Sequence, residues 1–213
     1  MRLLIPLSQP MVGDLSTNTP PPTLIFSQGA YIKMMTYING LDTEIGGFMY
    51  VDELGPGRYY VHGENDVFIT AQTVTLVTTD ADVNFALAYD HAFLAGRHDE
   101  MRLQWHKHPS GMLRFSGHDL ANIEGFAAAG MTWFISLVAI ADGGVRARLD
   151  NFHPRVAVEM QILVELEGND VLDWTCADEI ERLVTVEELP PEETDESDAA
   201  TLVVVGSEEG KDQ

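Results

Sequence analysis

The stretch Gln104-Trp105-His106-Lys107-His108-Pro109-Ser110-Gly111, followed by Met112 to Asp119, constrains this chain more than any other. Met101, Leu103 and Trp105 alternate with Arg102, Gln104, His106 and His108, which is the period of a strand buried on one face. His106 and His108 therefore point the same way, about 7 Å apart along the backbone, while Lys107 points to the opposite face. Pro109 ends the strand and Ser110-Gly111 turns the chain. Ser116-Gly117-His118-Asp119 then opens an alanine-rich amphipathic segment, Leu120 to Ala129, closed by Gly130 as a helix is closed.

Two imidazoles and a carboxylate are the donors a borderline ion such as zinc accepts, and three protein ligands with an open fourth position make a catalytic arrangement. His106, His108 and Asp119 supply those three. What is missing is a base for the attacking water. Glu44 is the candidate: it begins an apolar strand whose Gly46-Gly47 lets another backbone approach closely. Each piece has a blander reading. His-x-His on a strand is more often two packed or surface imidazoles, Ser116-x-x-Asp119 alone matches a helix capping box, and Glu44 alone could be any solvated carboxylate. His118 reads as an exposed first-turn residue or a hydrogen-bond partner of the site. His62, His91, His98 and His153 read as structural or surface residues.

Taken together, Glu44, then at long range His106-x-His108-Pro109, six residues, and Ser116-x-x-Asp119, resembles the signature of the JAB/MPN (JAMM) zinc metalloproteases, in the style of the prokaryotic-type ubiquitin-like isopeptidases. The resemblance covers roughly Thr23 to Arg155. It implies one zinc per chain held by His106, His108 and Asp119, with Glu44 as general base and Ser116 supporting the tetrahedral intermediate. It also implies cleavage of the amide or isopeptide bond after the C-terminal tail of ubiquitin or a ubiquitin-like protein, with conjugation-enzyme partners of the activating and conjugating kinds. Two positions depart from the pattern: Lys107 stands where a small residue is usual, and Trp105 directly precedes His106. The competing functions are a non-catalytic MPN scaffold that binds partners and a small-peptide amidohydrolase.

Around this stretch the chain reads as α/β. Thr23 to Ser27 is a strand; Ala30, Met34, Tyr37, Ile38 and Leu41 recur at helical spacing up to Gly40; Phe48 to Val51 is a strand. Gly55-Pro56-Gly57 turns a hairpin into Arg58 to Gly63, and Asp66 to Val77 is further strand. Thr78-Thr79-Asp80 caps a helix over Val83 to Ala95. Met131 to Ala141 and Val145 to Phe152 form a hairpin about Asp142-Gly143-Gly144, and Val156 to Leu166 is strand or helix. Strands interleaved with helices predict a mixed sheet with helices packed on it, and the resemblance implies the JAB/MPN-like form of it, a curved sheet flanked by helices in a cytidine-deaminase-like layout. The expected division is an N-terminal arm over residues 1–22, a metalloprotease domain over 23–158 and an acidic C-terminal extension over 159–213.

Charge supports that last boundary. Of a formal net charge of −22 over 213 residues, 159–213 hold 18 acids and 2 bases. Such a balance excludes nucleic acid, which needs clustered Lys and Arg, and favours a neutral or basic protein partner. In the extension, Asp170 to Leu189 has an amphipathic pattern anchored by Trp174, and Pro190 to Ala199 is too polar to fold alone. Thr201 to Val205, an apolar run with acidic flanks, suits an edge strand of this domain, an oligomer contact or the sheet edge of a partner. One cysteine, Cys176, excludes a disulfide framework and the two-cysteine zinc site of nucleobase deaminases, and reads as a small buried residue. No window approaches eighteen uninterrupted apolar residues, and Leu3 to Leu7 is too short for a signal-peptide core, so a cytoplasmic protein without membrane partners is expected.

Overall fold

A computed structural model describes residues 3–7, 20–74, 81–108, 111–141, 143–166 and 176–186. In chain order these form β1 (Leu3–Pro6), β2 (Thr23–Ser27), α1 (Gln28–Gly40), β3 (Gly46–Tyr50), β4 (Asp52–Gly55) and β5 (Arg58–Val61). A 3-10 turn at Glu64–Asp66 leads to β6 (Val67–Phe68), β7 (Gln72–Val74), α2 (Ala81–Leu94) and β8 (Met101–Lys107). Then come α3 (Gly117–Ala128), β9 (Trp133–Ala139), β10 (Val145–Phe152), β11 (Arg155–Glu159), β12 (Gln161–Leu166), α4 (Cys176–Leu183) and β13 (Val184–Val186).

The architecture is mixed α/β, with sheets flanked by helices. One sheet has the order β11-β10-β9-β8-β3-β6, antiparallel except for the parallel pair β8 and β9. The parallel pair needs a crossover, and α3 supplies it. A second sheet has the order β1-β12-β2-β5-β4, and β7 pairs with β13 in a third. Among the described residues no helix is long and apolar enough to cross a membrane.

Several elements form where local chemistry demands. Ser27 caps α1 by accepting the Ala30 N–H at 3.2 Å, and Ala30, Met34, Tyr37 and Ile38 are its buried stripe. On β8, Leu103 and Trp105 enter a core shared with β2, α1, β9, β10 and β12, while Arg102, Gln104 and His106 stay half-buried on the other face. That other face carries a second core, in which Phe48, Phe68, Phe126 and Phe134 join Ala88 and Ala92 of α2. The site is thus backed by one apolar core and flanked by another.

The structure corrects the expected boundaries. Val156 to Leu166 is two strands, β11 at the edge of one sheet, beside β10, and β12 inside the other. The boundary at residue 158 falls inside the packed structure: β12 lies between β1 and β2, parallel to β2, with Ile162 and Val164 in the main core. β1 in turn pairs with β12, so the beginning of the arm is a sheet edge. The described residues of Asp66 to Val77, up to Val74, form β6 and β7, and within Asp170 to Leu189 the described residues form α4 and β13. Pro109, Ser110, Trp174, the Cys176 side chain, Pro190 to Ala199 and Thr201 to Val205 lie outside the described residues, or have side chains that do.

Gly47 is where space decides. A Cβ there would stand 2.4 Å from the Phe68 carbonyl oxygen and 2.8 Å from the Trp105 ring, so β3 can lie against β8 only without one. Gly47→Ala should lower unfolding stability by about 1–3 kcal/mol, read as a shift in the urea midpoint at unchanged slope. An unshifted midpoint would contradict this packing.

Candidate metal centre

The last turn of β8 and the first turn of α3 converge. His106 Nε2 lies 2.8 Å from His108 Nε2, 3.1 Å separates it from Asp119 Oδ1, and His108 Nε2 is 3.5 Å from Asp119 Oδ2. Three donors placed tetrahedrally about zinc at about 2.0–2.1 Å would be about 3.3 Å apart. The observed separations bracket that edge, and the three side chains are only 12%, 14% and 9% exposed. His106, His108 and Asp119 therefore form a group that could hold a metal ion.

Neighbouring atoms fix the donors. His108 Nδ1 faces the Met112 carbonyl at 2.9 Å, and a ring that donates there turns Nε2 toward the group as an acceptor. At the start of α3 the capping box is fully formed: the Asp119 N–H donates to Ser116 Oγ at 3.1 Å, and the Ser116 N–H donates to Asp119 Oδ2 at 2.5 Å. The blander reading of Ser116-x-x-Asp119 and the ligand reading are both compatible with this geometry, since the cap locks the rotamer that aims the carboxylate. Ser116 keeps its own O–H hydrogen for donation, on an exposed residue.

Glu44 lies in the connection that leads into β3. Gly46 pairs with His106, and the Lys107 N–H donates to the Ile45 carbonyl at 2.8 Å, so the chain just before β3 still runs beside the end of β8. Burial pushes its carboxyl above the ordinary range, against the opposing pull of His106 and His108, with Asp119 adding to the rise. Burial also opposes ionisation of Asp119, but the His106 and His108 side chains and the Ser116 N–H outweigh it and hold that acid well below the usual carboxylate range. The facing Asp119 carboxylate, against the cost of burial, raises His108.

Two contributors were invisible to pattern reading. Gln72 is buried, accepts the Gly46 N–H at 3.1 Å and donates to the Gly46 carbonyl at 2.9 Å, so a side chain completes the β3 edge where β6 stops. Lys107 is buried on the core face, where the alternation placed it, and donates to the Leu41 carbonyl. His118 is exposed on the first turn of α3, within electrostatic reach of Glu44. His62 and His91 pair elsewhere, with Asp52 and Tyr50. Trp105 stacks on Tyr37 at 5.7 Å and forms the floor behind the histidines.

On the same sheet face, Val138 pairs with both His106 and Arg146. Arg146 and Arg148 line a cavity of about 190 Å³ with Phe115 and Glu159. Both guanidiniums are already satisfied, Arg146 by Glu159 at 2.8 Å and Arg148 by Asp150 at 2.7 Å.

Fold and site together define an α/β protein with a His-His-Asp group suited to a metal ion and a glutamate beside it. No protein-family model matches the chain, and no curated protein matches it. Among solved structures, a Desulfitobacterium hafniense protein determined in solution is similar at 14% identity with a TM-score of 0.44, over 68% of this chain and 94% of that one. A likeness that slight bears on neither fold nor activity.

Proposed function

We propose that this chain is a zinc-dependent hydrolase of the JAB/MPN type, cleaving the amide or isopeptide bond after the C-terminal tail of a ubiquitin-like protein. The observation that carries the reading is the convergence of His106, His108 and Asp119 from two elements, with Glu44 two residues before the Gly46 that pairs with His106 and in electrostatic reach of all three. The donor set is that of a catalytic zinc site with an open position, and the mixed sheets with α3 crossing between β8 and β9 accommodate the JAB/MPN layout. The ubiquitin-like substrate rests on the motif resemblance alone.

His106 Nε2, His108 Nε2 and an Asp119 oxygen would hold the ion. Bound zinc supplies Lewis acidity, polarising a carbonyl and acidifying water to a pKa of about 7. Glu44 accepts the proton of the attacking water and returns it to the leaving amine, a transfer contributing about 10²–10⁴-fold. The Ser116 hydroxyl, anchored at its oxygen by the Asp119 N–H, donates to the developing oxyanion.

Incubation of the zinc-loaded protein with ubiquitin-like fusions should release the extension, and chelation should stop it. Intact substrate in the presence of bound zinc would sink this reading; cleavage of short peptides alone would favour the amidohydrolase. The acid limb of kcat/KM has a definite sign. Glu44 must be ionised to take a proton, and its carboxyl is raised, so activity should fall with decreasing pH before an ordinary glutamate, at about 4.3, would titrate. A rate that stays flat down to about pH 4 contradicts that role.

A further inference from the structure

We propose that Lys107 is a positioning residue for Glu44, an inference that rests on the hydrolase reading for its catalytic consequence but not for its structural one. Lys107 stands between the two histidine donors in sequence yet faces away from them, with 4% of its surface exposed. Its backbone N–H donates to the Ile45 carbonyl at 2.8 Å, and its Nζ donates to the carbonyl of Leu41, the residue that caps the C-terminus of α1. One residue of the metal-bearing strand thus holds both ends of the segment Leu41–Ile45. Glu44 lies between those two anchors.

The chemistry explains a cation in this place. A buried ammonium is costly unless it is compensated. α1 has no basic residue in its last turn, so its C-terminal end, equivalent to about half a negative charge, draws no cation from the helix itself. Lys107 supplies that charge from a neighbouring strand, and its long stem reaches the helix end across the core. Gln72 fixes the next residue but one, Gly46, from the opposite side. The glutamate is consequently carried on a clamped connection: the helix end, the strand start and the ligand strand move as one piece.

Hydrogen–deuterium exchange on the full-length protein, without substrate, tests the clamp directly. Lys107→Met should speed exchange of peptides covering 41–46 at least tenfold while peptides from α3 and β9 keep wild-type protection. Lys107→Arg, which keeps a charged donor, should restore most of it. In turnover, Lys107→Met should lower kcat about 10–100-fold with KM within about twofold, as expected for a displaced base. Unchanged exchange over 41–46, or protection lost equally across the sheets, overturns the proposal, the latter because it marks a purely structural lysine. If the methionine variant does not fold, Lys107→Gln takes the same comparison. Because exchange is read without turnover, a wild type that cleaves nothing would overturn the hydrolase reading while the clamp is still decided on its own.

Discussion

Glu44→Gln should leave one zinc per chain bound and reduce hydrolysis of a ubiquitin-like fusion by about 10²–10⁴-fold. Glutamine keeps the shape and the half-buried seat of the side chain but cannot accept a proton. No donor atom of the His-His-Asp group is altered, since Glu44 lies in the connection before β3 while the three donors come from the end of β8 and the start of α3. Metal content by elemental mass spectrometry, together with initial rates, separates binding from proton transfer. A Glu44→Gln protein that retains more than about a tenth of wild-type activity would remove Glu44 from the mechanism.

Asp119→Ala should act on two levels because this residue has two duties. It is the carboxylate of the group, and it is also the N3 partner in the capping box of α3. Removing only a hydrogen-bond partner of a metal ligand typically costs about 10–100-fold in affinity; loss of the ligand itself should exceed about 100-fold. Loss of the reciprocal cap should cost roughly 0.5–2 kcal/mol of stability in the metal-free protein. Ser116→Ala provides the contrast: it removes the other half of the capping box yet leaves all three donors. Metal titration and urea unfolding of the two variants should show equal stability losses with affinity lost only in Asp119→Ala. If both variants bind zinc like wild type, Asp119 is a cap and nothing more.

How much of this could be read from the chain depends on the range of the interaction. α1 was legible because its signals are local: a stripe at Ala30, Met34, Tyr37 and Ile38, and a glycine at the end; the Ser27 cap reads in the sequence only as the end of a strand. β8 was legible from its period-two alternation, which also put Lys107 on the face away from the histidines. The grouping of His106, His108 and Asp119 was legible because two of these side chains are two residues apart and the third opens the next helix. Sheet partners were not. β12 reads as apolar without a period, and only its place between β1 and β2, more than a hundred residues away in sequence, makes it a strand. The roles of Lys107 and Gln72 were equally hidden, since each acts on a backbone group whose proximity only the fold creates.

The measurement that tests the central claim most directly is the zinc stoichiometry of the purified full-length chain, by elemental mass spectrometry before and after exposure to a chelator. The account predicts one zinc per chain, removable and restorable, and lost when His106 is replaced by alanine. A chain that binds no zinc at micromolar concentrations of the ion, or binds it equally well without His106, would contradict a metal centre at His106, His108 and Asp119.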